Sequence, residues 1–217
     1  HYYNQRMTKY FLLTLCLFTI SCKSSTDSNG TQSQGVIMPL AVGNMWAYTD
    51  HFYGNGSVST STTDTLRLVS KISLGADTAC LTPEATYFIN RAEGLWSRLF
   101  FADTLKLIAK YPASQGEIFG HDSFVLTSES SPDPIDSGVA DIIVDSTNAA
   151  VTVPAGNYSC YKYKADYYDS KHVIISRENT YYSVNVGLIK RDRYMLDSAT
   201  QILKLRQSDQ LTKVDLH

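Results

Sequence analysis

The chain changes texture twice. A run of ten residues, Phe11 to Ile20, reads FLLTLCLFTI and is almost wholly apolar. The stretch Lys23 to Gly35, KSSTDSNGTQSQG, then has no apolar side chain. From Val36 onward apolar and polar positions tend to alternate with a period of two, and Tyr, Thr, Val and Ile are frequent, which is the pattern of half-buried strands. Leu66, Leu68, Ile72 and Leu74 share one parity, with Thr65, Arg67, Lys71 and Ser73 on the other. Tyr87 to Arg91 and Leu95 to Phe101 are two further strands, and Ala92-Glu93-Gly94 between them suits a short hairpin loop. Gly54-Asn55-Gly56 reads as another hairpin tip. Leu105 to Tyr111, Ala140 to Asp145 and Ala149 to Val153 follow, and Pro154-Ala155-Gly156-Asn157 supplies a turn. Tyr158 to Tyr168, His172 to Ser183, Leu188 to Leu196 and Gln201 to Arg206 complete the set. Within Tyr158 to Tyr168, Tyr161, Tyr163, Ala165 and Tyr167 face one way and Lys162, Lys164 and Asp166 the other. Helical periodicity is sustained nowhere. The expectation is an all-β fold, or a β-rich α+β one, with about ten to twelve strands, mostly antiparallel because the connections are short. Ser128 to Gly138, SESSPDPIDSG, reads as an exposed excursion within a single domain spanning 36–217.

The apolar run is too short to cross a bilayer, which takes roughly 20 residues. It has the length of a secretory signal core and follows Lys9, with Met7 read as the start and the residues before it as an upstream extension. It ends in Thr19-Ile20-Ser21-Cys22, which resembles a bacterial lipobox. Ser21 has the small side chain the signal peptidase needs, whereas Thr19 departs from the usual Leu. That resemblance implies a signal peptide over 1–21, lipidation of Cys22, and a flexible tether over 22–35. Several acyl chains, at about 0.8 kcal/mol per buried methylene, would anchor the protein firmly. Lys23 stands where Asp marks inner-membrane retention in enteric-type envelopes. The expected address is therefore the outer membrane, facing the periplasm or the cell surface.

Composition adds exclusions. With 43% hydrophobic residues the chain can build a core, and a net charge of -2 offers no basic field for nucleic acid. Of four Cys, Cys16 leaves with the signal peptide and Cys22 carries lipid. Cys80 and Cys160 remain, in a compartment that permits disulfides. They either bridge or stand as separate buried thiols, and sequence leaves both open.

Three stretches each resemble a motif of a family of uncharacterised bacterial envelope lipoproteins. They are Pro39-Leu40-Ala41-Val42-Gly43-Asn44-Met45-Trp46-Ala47-Tyr48, Val153-Pro154-Ala155-Gly156-Asn157-Tyr158 with its following Lys162, and Tyr181-Tyr182-Ser183-Val184-Asn185-Val186-Gly187-Leu188-Ile189-Lys190. The family motifs are PLxVGNxWxY, VPAGx[FY] and YYxxxVGL[IV]K. The resemblance implies that the strands form a large curved sheet or half-barrel like that of lipoprotein carriers (LolA-like), wrapping an apolar concavity. Read physically, Gly43-Asn44 turns the chain so that Trp46 enters the first strand, and Gly187 lets backbone pack where a Cβ would obstruct. Trp46, Tyr48, Tyr181 and Tyr182 are then core residues or ligand contacts on the concave face.

Catalytic patterns are weak. His121-Asp122-Ser123 holds the residue types of a hydrolase triad, but consecutive residues seldom converge on one nucleophile and GxSxG is absent. Asp141 and Asp145 share a strand face and read as solvated. Asp133, Asp136 and Asp141 lack calcium-loop spacing, and Lys190-Arg191-Asp192-Arg193 reads as an exposed alternating strand. No cofactor, metal site or catalytic residue is expected. The reading is a non-enzymatic lipoprotein held to the membrane by its lipid, binding an apolar ligand or lipid in a concave sheet. The alternative is a structural or adhesion subunit that binds another envelope protein.

Overall fold

A computed structural model describes residues 35–98, 104–128 and 131–217, with the backbone alone between 122 and 138. Met7, Cys16, Cys22, the signal segment and nearly all of the tether lie outside the described residues. Thirteen strands are present among those described, and all their pairings are antiparallel. They are β1 (Met45–Gly54), β2 (Ser57–Arg67), β3 (Ser70–Leu74), β4 (Asp77–Leu81), β5 (Tyr87–Arg91), β6 (Gly94–Arg98), β7 (Lys106–Lys110), β8 (Ile118–Ser128), β9 (Ser131–Val153), β10 (Gly156–Tyr168), β11 (Ile174–Ser183), β12 (Gly187–Asp197) and β13 (Ile202–Asp215). The fold is all-β. The strands form two sheets where one was expected: eight strands in the order β2-β1-β13-β12-β11-β10-β9-β8, and five in the order β3-β4-β5-β6-β7.

The division into two sheets comes from a change of partner that side-chain parity cannot register. The alternation from Leu66 to Leu74 is real, but the chain leaves the large sheet in its middle. Leu68 still exchanges backbone hydrogen bonds with Asn44 and Gly43, while Val69 N–H already donates to Leu81 of the small sheet. Leu68 is fully buried at the crossing point. In the other direction, the two strands expected at 140–145 and 149–153 are one. β9 runs through Ser146 to Asn148 because register shifts opposite Cys160 and Lys162 absorb the irregularity. The polar groups there bond locally, Ser159 Oγ donating to Asn148 Oδ1 at 2.6 Å.

The excursion expected at 128–138 is also a correction. Its backbone from Ser131 belongs to β9 and pairs with β8, up to Ser128 opposite Ser131. β10 pairs with β9 only from Val139 onward, so residues 131–138 have a free rim. Proline lacks an N–H for the ladder, and a free rim is where a strand tolerates it.

The hairpin tips follow turn chemistry. Asn55 and Gly56 both have positive φ between β1 and β2, as a two-residue primed turn requires. Gly94, opening β6, has φ of +137°, and a Cβ there would stand 2.1 Å from the Ala109 carbonyl oxygen. No other residue fits that approach of β6 to β7.

The sheets share one core. Trp46 and Tyr48 of β1, Val144 of β9, Tyr163 of β10, Tyr182 of β11 and Ile189 of β12 meet Cys80, Phe88, Leu95 and Ala109 of the small sheet. Tyr163 pins the layers together by donating its hydroxyl hydrogen to the Lys110 carbonyl at 2.6 Å. Cys80 and Cys160 enter this core as separate buried thiols, the second of the two arrangements that the sequence left open. Each fills a buried gap from its own sheet. Cys80 Sγ lies 3.6 Å from the Leu40 carbonyl oxygen, and burial pushes the Cys160 thiol up to about 12.

Candidate functional site

The motifs that carry the family resemblance build the core. Gly43 adopts positive φ, and Asn44 beside it is fully buried. Asn44 Nδ2 donates to the Pro39 carbonyl and its Oδ1 accepts from the His217 N–H. That bonded turn aims β1 so that Trp46 is 0% exposed. The indole N–H of Trp46 donates to the Val186 carbonyl at 2.6 Å, and the Tyr48 hydroxyl donates to the Leu188 carbonyl at 3.0 Å. A Cβ on Gly187 would stand 3.0 Å from Met38 Cγ and 3.2 Å from Trp46 Nε1. The first and third motifs are therefore two halves of one packing unit. In the second, Ala155 N–H donates to the Leu211 carbonyl on β13, fixing the β9–β10 turn.

The open space lies between the sheets. A chamber of about 420 Å³ has a floor made by Phe119, Gly120 and His121 of β8, Ile142 of β9, Tyr163, Ala165 and Tyr167 of β10, Glu178, Thr180 and Tyr182 of β11, and Leu188 and Arg191 of β12. Its other wall is Trp96 of β6 with Lys106, Leu107 and Ile108 of β7. The volume is within the range of small-molecule sites, about 300–1,000 Å³. Register puts these side chains on one face: Ala165 stands opposite Ile142, and Tyr163 opposite Thr180. The aromatic rings are set edge to face, Phe119 to Tyr163 at 5.3 Å and Tyr163 to Tyr182 at 6.0 Å. Burial pushes the Tyr182 hydroxyl up to about 12, so it stays neutral at physiological pH.

A second chamber of about 250 Å³ adjoins the first and shares Ile108, Tyr182, Leu188 and Arg191 with it. Its own wall adds Met38, Tyr48, Asp50, Asp64, Leu66, Phe88, Ser97 and Asp209. Arg191 stands at the junction, with its side chain 33% exposed. Its Nε donates to Asp209 Oδ2 at 2.6 Å, and Nη2 lies 2.5 Å from the same oxygen as an ion pair. Gln207 Nε2 donates to the other carboxylate oxygen at 2.7 Å. Burial by itself would lower the Arg191 pKa, but Asp209 and Glu178 outweigh it and the guanidinium stays charged. The Asp50 carboxyl is raised, first by burial and then by the Asp209 and Asp64 charges, against an opposing effect of Arg191.

Of the four aromatic candidates, the structure brings two to this space. Tyr182 lines both chambers and Tyr48 lines the second. Trp46 has no surface left to offer a ligand. Tyr181 lines neither chamber and lies instead between the ammonium groups of Lys162 and Lys190, at 6.0 and 5.9 Å. Arg191 corrects the reading of 190–193 as an exposed strand, because it is two-thirds buried and paired across strands. Asp50, Asp64, Phe119 and Ile142 had no sequence signal beyond strand parity.

The weaker chemical candidates are dispersed. His121 Nδ1 lies 2.6 Å from Asp141 Oδ1, both largely exposed, whereas Asp145 pairs with Lys162 at 2.7 Å. The side chains of Asp122, Ser123, Asp133 and Asp136 lie outside those described. Among the described residues, no group of three His, Cys, Asp or Glu is placed to hold a metal ion.

No family model and no curated protein sequence matches the chain. Among solved structures, one similar chain is a Bacteroides fragilis protein provisionally described as exported and of YmcC-like fold. It is 15% identical, with 84% of this chain and 100% of that one covered at a TM-score of 0.43. Another, provisionally described as a lipoprotein of Parabacteroides distasonis, is 13% identical, with 85% and 100% covered at 0.39. Likeness at these scores carries no argument about activity or ligand.

Proposed function

We propose that the chain is a lipid-anchored, non-catalytic lipoprotein of the bacterial envelope, of the family its three motifs resemble, and that it holds an apolar ligand or lipid between its sheets. The observation that carries the binding role is the 420 Å³ chamber, walled by Phe119, Ile142, Tyr163, Leu107 and Leu188 and adjoining the core shared by the two sheets. Apolar surface removed from water on both ligand and wall supplies the affinity, at roughly 25 cal/mol per Å² before the cost of association. The lipid on Cys22 supplies the address, and the segment 22–35 supplies reach from the membrane. The test is to extract the protein from its native membrane under mild conditions and identify co-purifying lipids by mass spectrometry. Ile142→Trp, which fills the chamber with an apolar ring, is expected to empty it of ligand. Retention of the same lipid by that variant overturns the chamber as the site.

A second reading, a subunit that docks another envelope protein, is favoured by β2. This strand has 11 residues and is an edge of the large sheet. It is almost wholly exposed and carries no proline or lysine within SVSTSTTDTLR. Such an edge can accept a partner's strand. A stoichiometric partner recovered from detergent extracts, and lost when Thr62 is replaced by Pro, would establish it.

A further inference from the structure

We propose that the ligand of the cleft is a single-chain amphiphile with a neutral, hydroxyl-bearing head, its chain in the larger chamber and its head in the smaller one between Arg191 and the carboxylates of Asp50 and Asp64. This rests on the reading of the cleft as a binding site and adds the chemistry of what it selects.

The two chambers differ in kind. The larger presents mostly aromatic and aliphatic walls, and the smaller one collects Asp50, Asp64 and Asp209 around a single guanidinium. Asp209 is committed: its two oxygens accept from Arg191 and Gln207, and its side chain is 4% exposed. It grips Arg191 through Nε and Nη2, which leaves the Nη1 end of a fork with five donors. That end belongs to a side chain lining both chambers. Asp64, on exposed β2, accepts from the Thr65 N–H with one oxygen. The junction thus offers a donor and acceptors side by side.

That pairing discriminates among heads. A carboxylate or phosphate would accept from Arg191 but would lie against Asp50 and Asp64, and like charges brought together across an interface are strongly disfavoured. An ammonium would satisfy the carboxylates while facing the guanidinium, with no acceptor to give it. A hydroxyl donates and accepts at once, so neighbouring hydroxyls of one head bond to a carboxylate and to Arg191 without adding charge. Asp50 fits the same picture: burial first, and then the neighbouring charges of Asp209 and Asp64, raise its carboxyl against the opposing effect of Arg191.

The experiment compares three ligands with one C12 chain: glyceryl monododecanoate, dodecanoate and dodecylammonium. Each is titrated into the folded domain below its aggregation concentration, with displacement of a fluorescent apolar probe as readout. The glyceryl ester is expected to bind at least about tenfold more tightly than dodecanoate. Asp64→Leu, at an exposed position that leaves the core intact, is expected to erase that preference while all three chains still bind. Ile142→Trp is expected to abolish binding of all three. Equal or tighter binding of dodecanoate or dodecylammonium overturns the head-group proposal and leaves the cleft standing. Failure of all three to displace the probe overturns the cleft reading itself. A preference that survives Asp64→Leu and also survives Arg191→Gln overturns the assignment of the head to this junction.

Discussion

Trp46 joins the first and third motifs through one hydrogen bond and one packed ring. Its indole is enclosed, its N–H is spent on Val186, and Gly187 is open beside it because a Cβ would collide. Truncating a buried aromatic costs roughly 3–5 kcal/mol, a large share of a total stability of about 5–15 kcal/mol. Trp46→Ala is expected to lower the urea midpoint strongly in equilibrium unfolding, whereas binding at the cleft, measured on the fraction still folded, is expected to hold. Asp50 lies at the opposite extreme, a residue tuned against stability. Its folded pKa is raised by burial and by Asp209 and Asp64, so the folded state holds the Asp50 proton more tightly than the unfolded chain does. Stability from this group is present below the unfolded pKa of about 3.9 and falls as pH rises through the folded value. Asp50→Asn is therefore expected to be more stable than the parent at pH 7, with the advantage shrinking as pH drops and gone below about pH 3.5. Urea titrations at pH 7, 5 and 3.5 would check the sign. An advantage that grows on acidification would contradict the assignment.

At the scale of elements, turns were more legible than partners. Asn55-Gly56 and Glu93-Gly94 announce their hairpins because positive φ belongs to a few residue types, and both hairpins are where the sequence places them. Gly94 carries the strictest demand. Gly94→Ala must displace the backbone of Ala109 to Tyr111, at a cost of about 3 kcal/mol or more, in the tail of measured substitution effects. The expected outcome is early hydrogen exchange across β6 and β7 together with a lowered melting temperature. Normal protection of that hairpin would show that β7 can move aside. What the sequence hid was pairing. Period-two alternation reports which face a residue occupies, and it is blind to the sheet that supplies the hydrogen bonds. That is why the crossing at Leu68–Val69 reads as an unbroken strand and why the proline-bearing start of β9 reads as a loop.

For the whole molecule, the described residues fall in a compact unit, Gln34–His217, and the proposed lipidation at Cys22 belongs to the sequence before it. Cys22→Ala is expected to abolish incorporation of labelled fatty acid and to leave the domain unprocessed or released. Unchanged labelling in that variant would remove the lipid anchor from the account. The all-β class and the hairpin tips could be read from the chain, because each depends on local backbone chemistry or on a contiguous segment. Tertiary structure alone decided that there are two sheets, that Cys80 and Cys160 stay apart, and that the open space lies beside Tyr182 and not Trp46 or Tyr181. Arg191 shows the physical reason. It comes within reach of Asp50, Asp64 and Asp209 only when β12 lies beside β13, β13 beside β1, and β1 beside β2. Residues distant along the chain take on joint chemistry through the register of their strands, and no spacing in the sequence records that register.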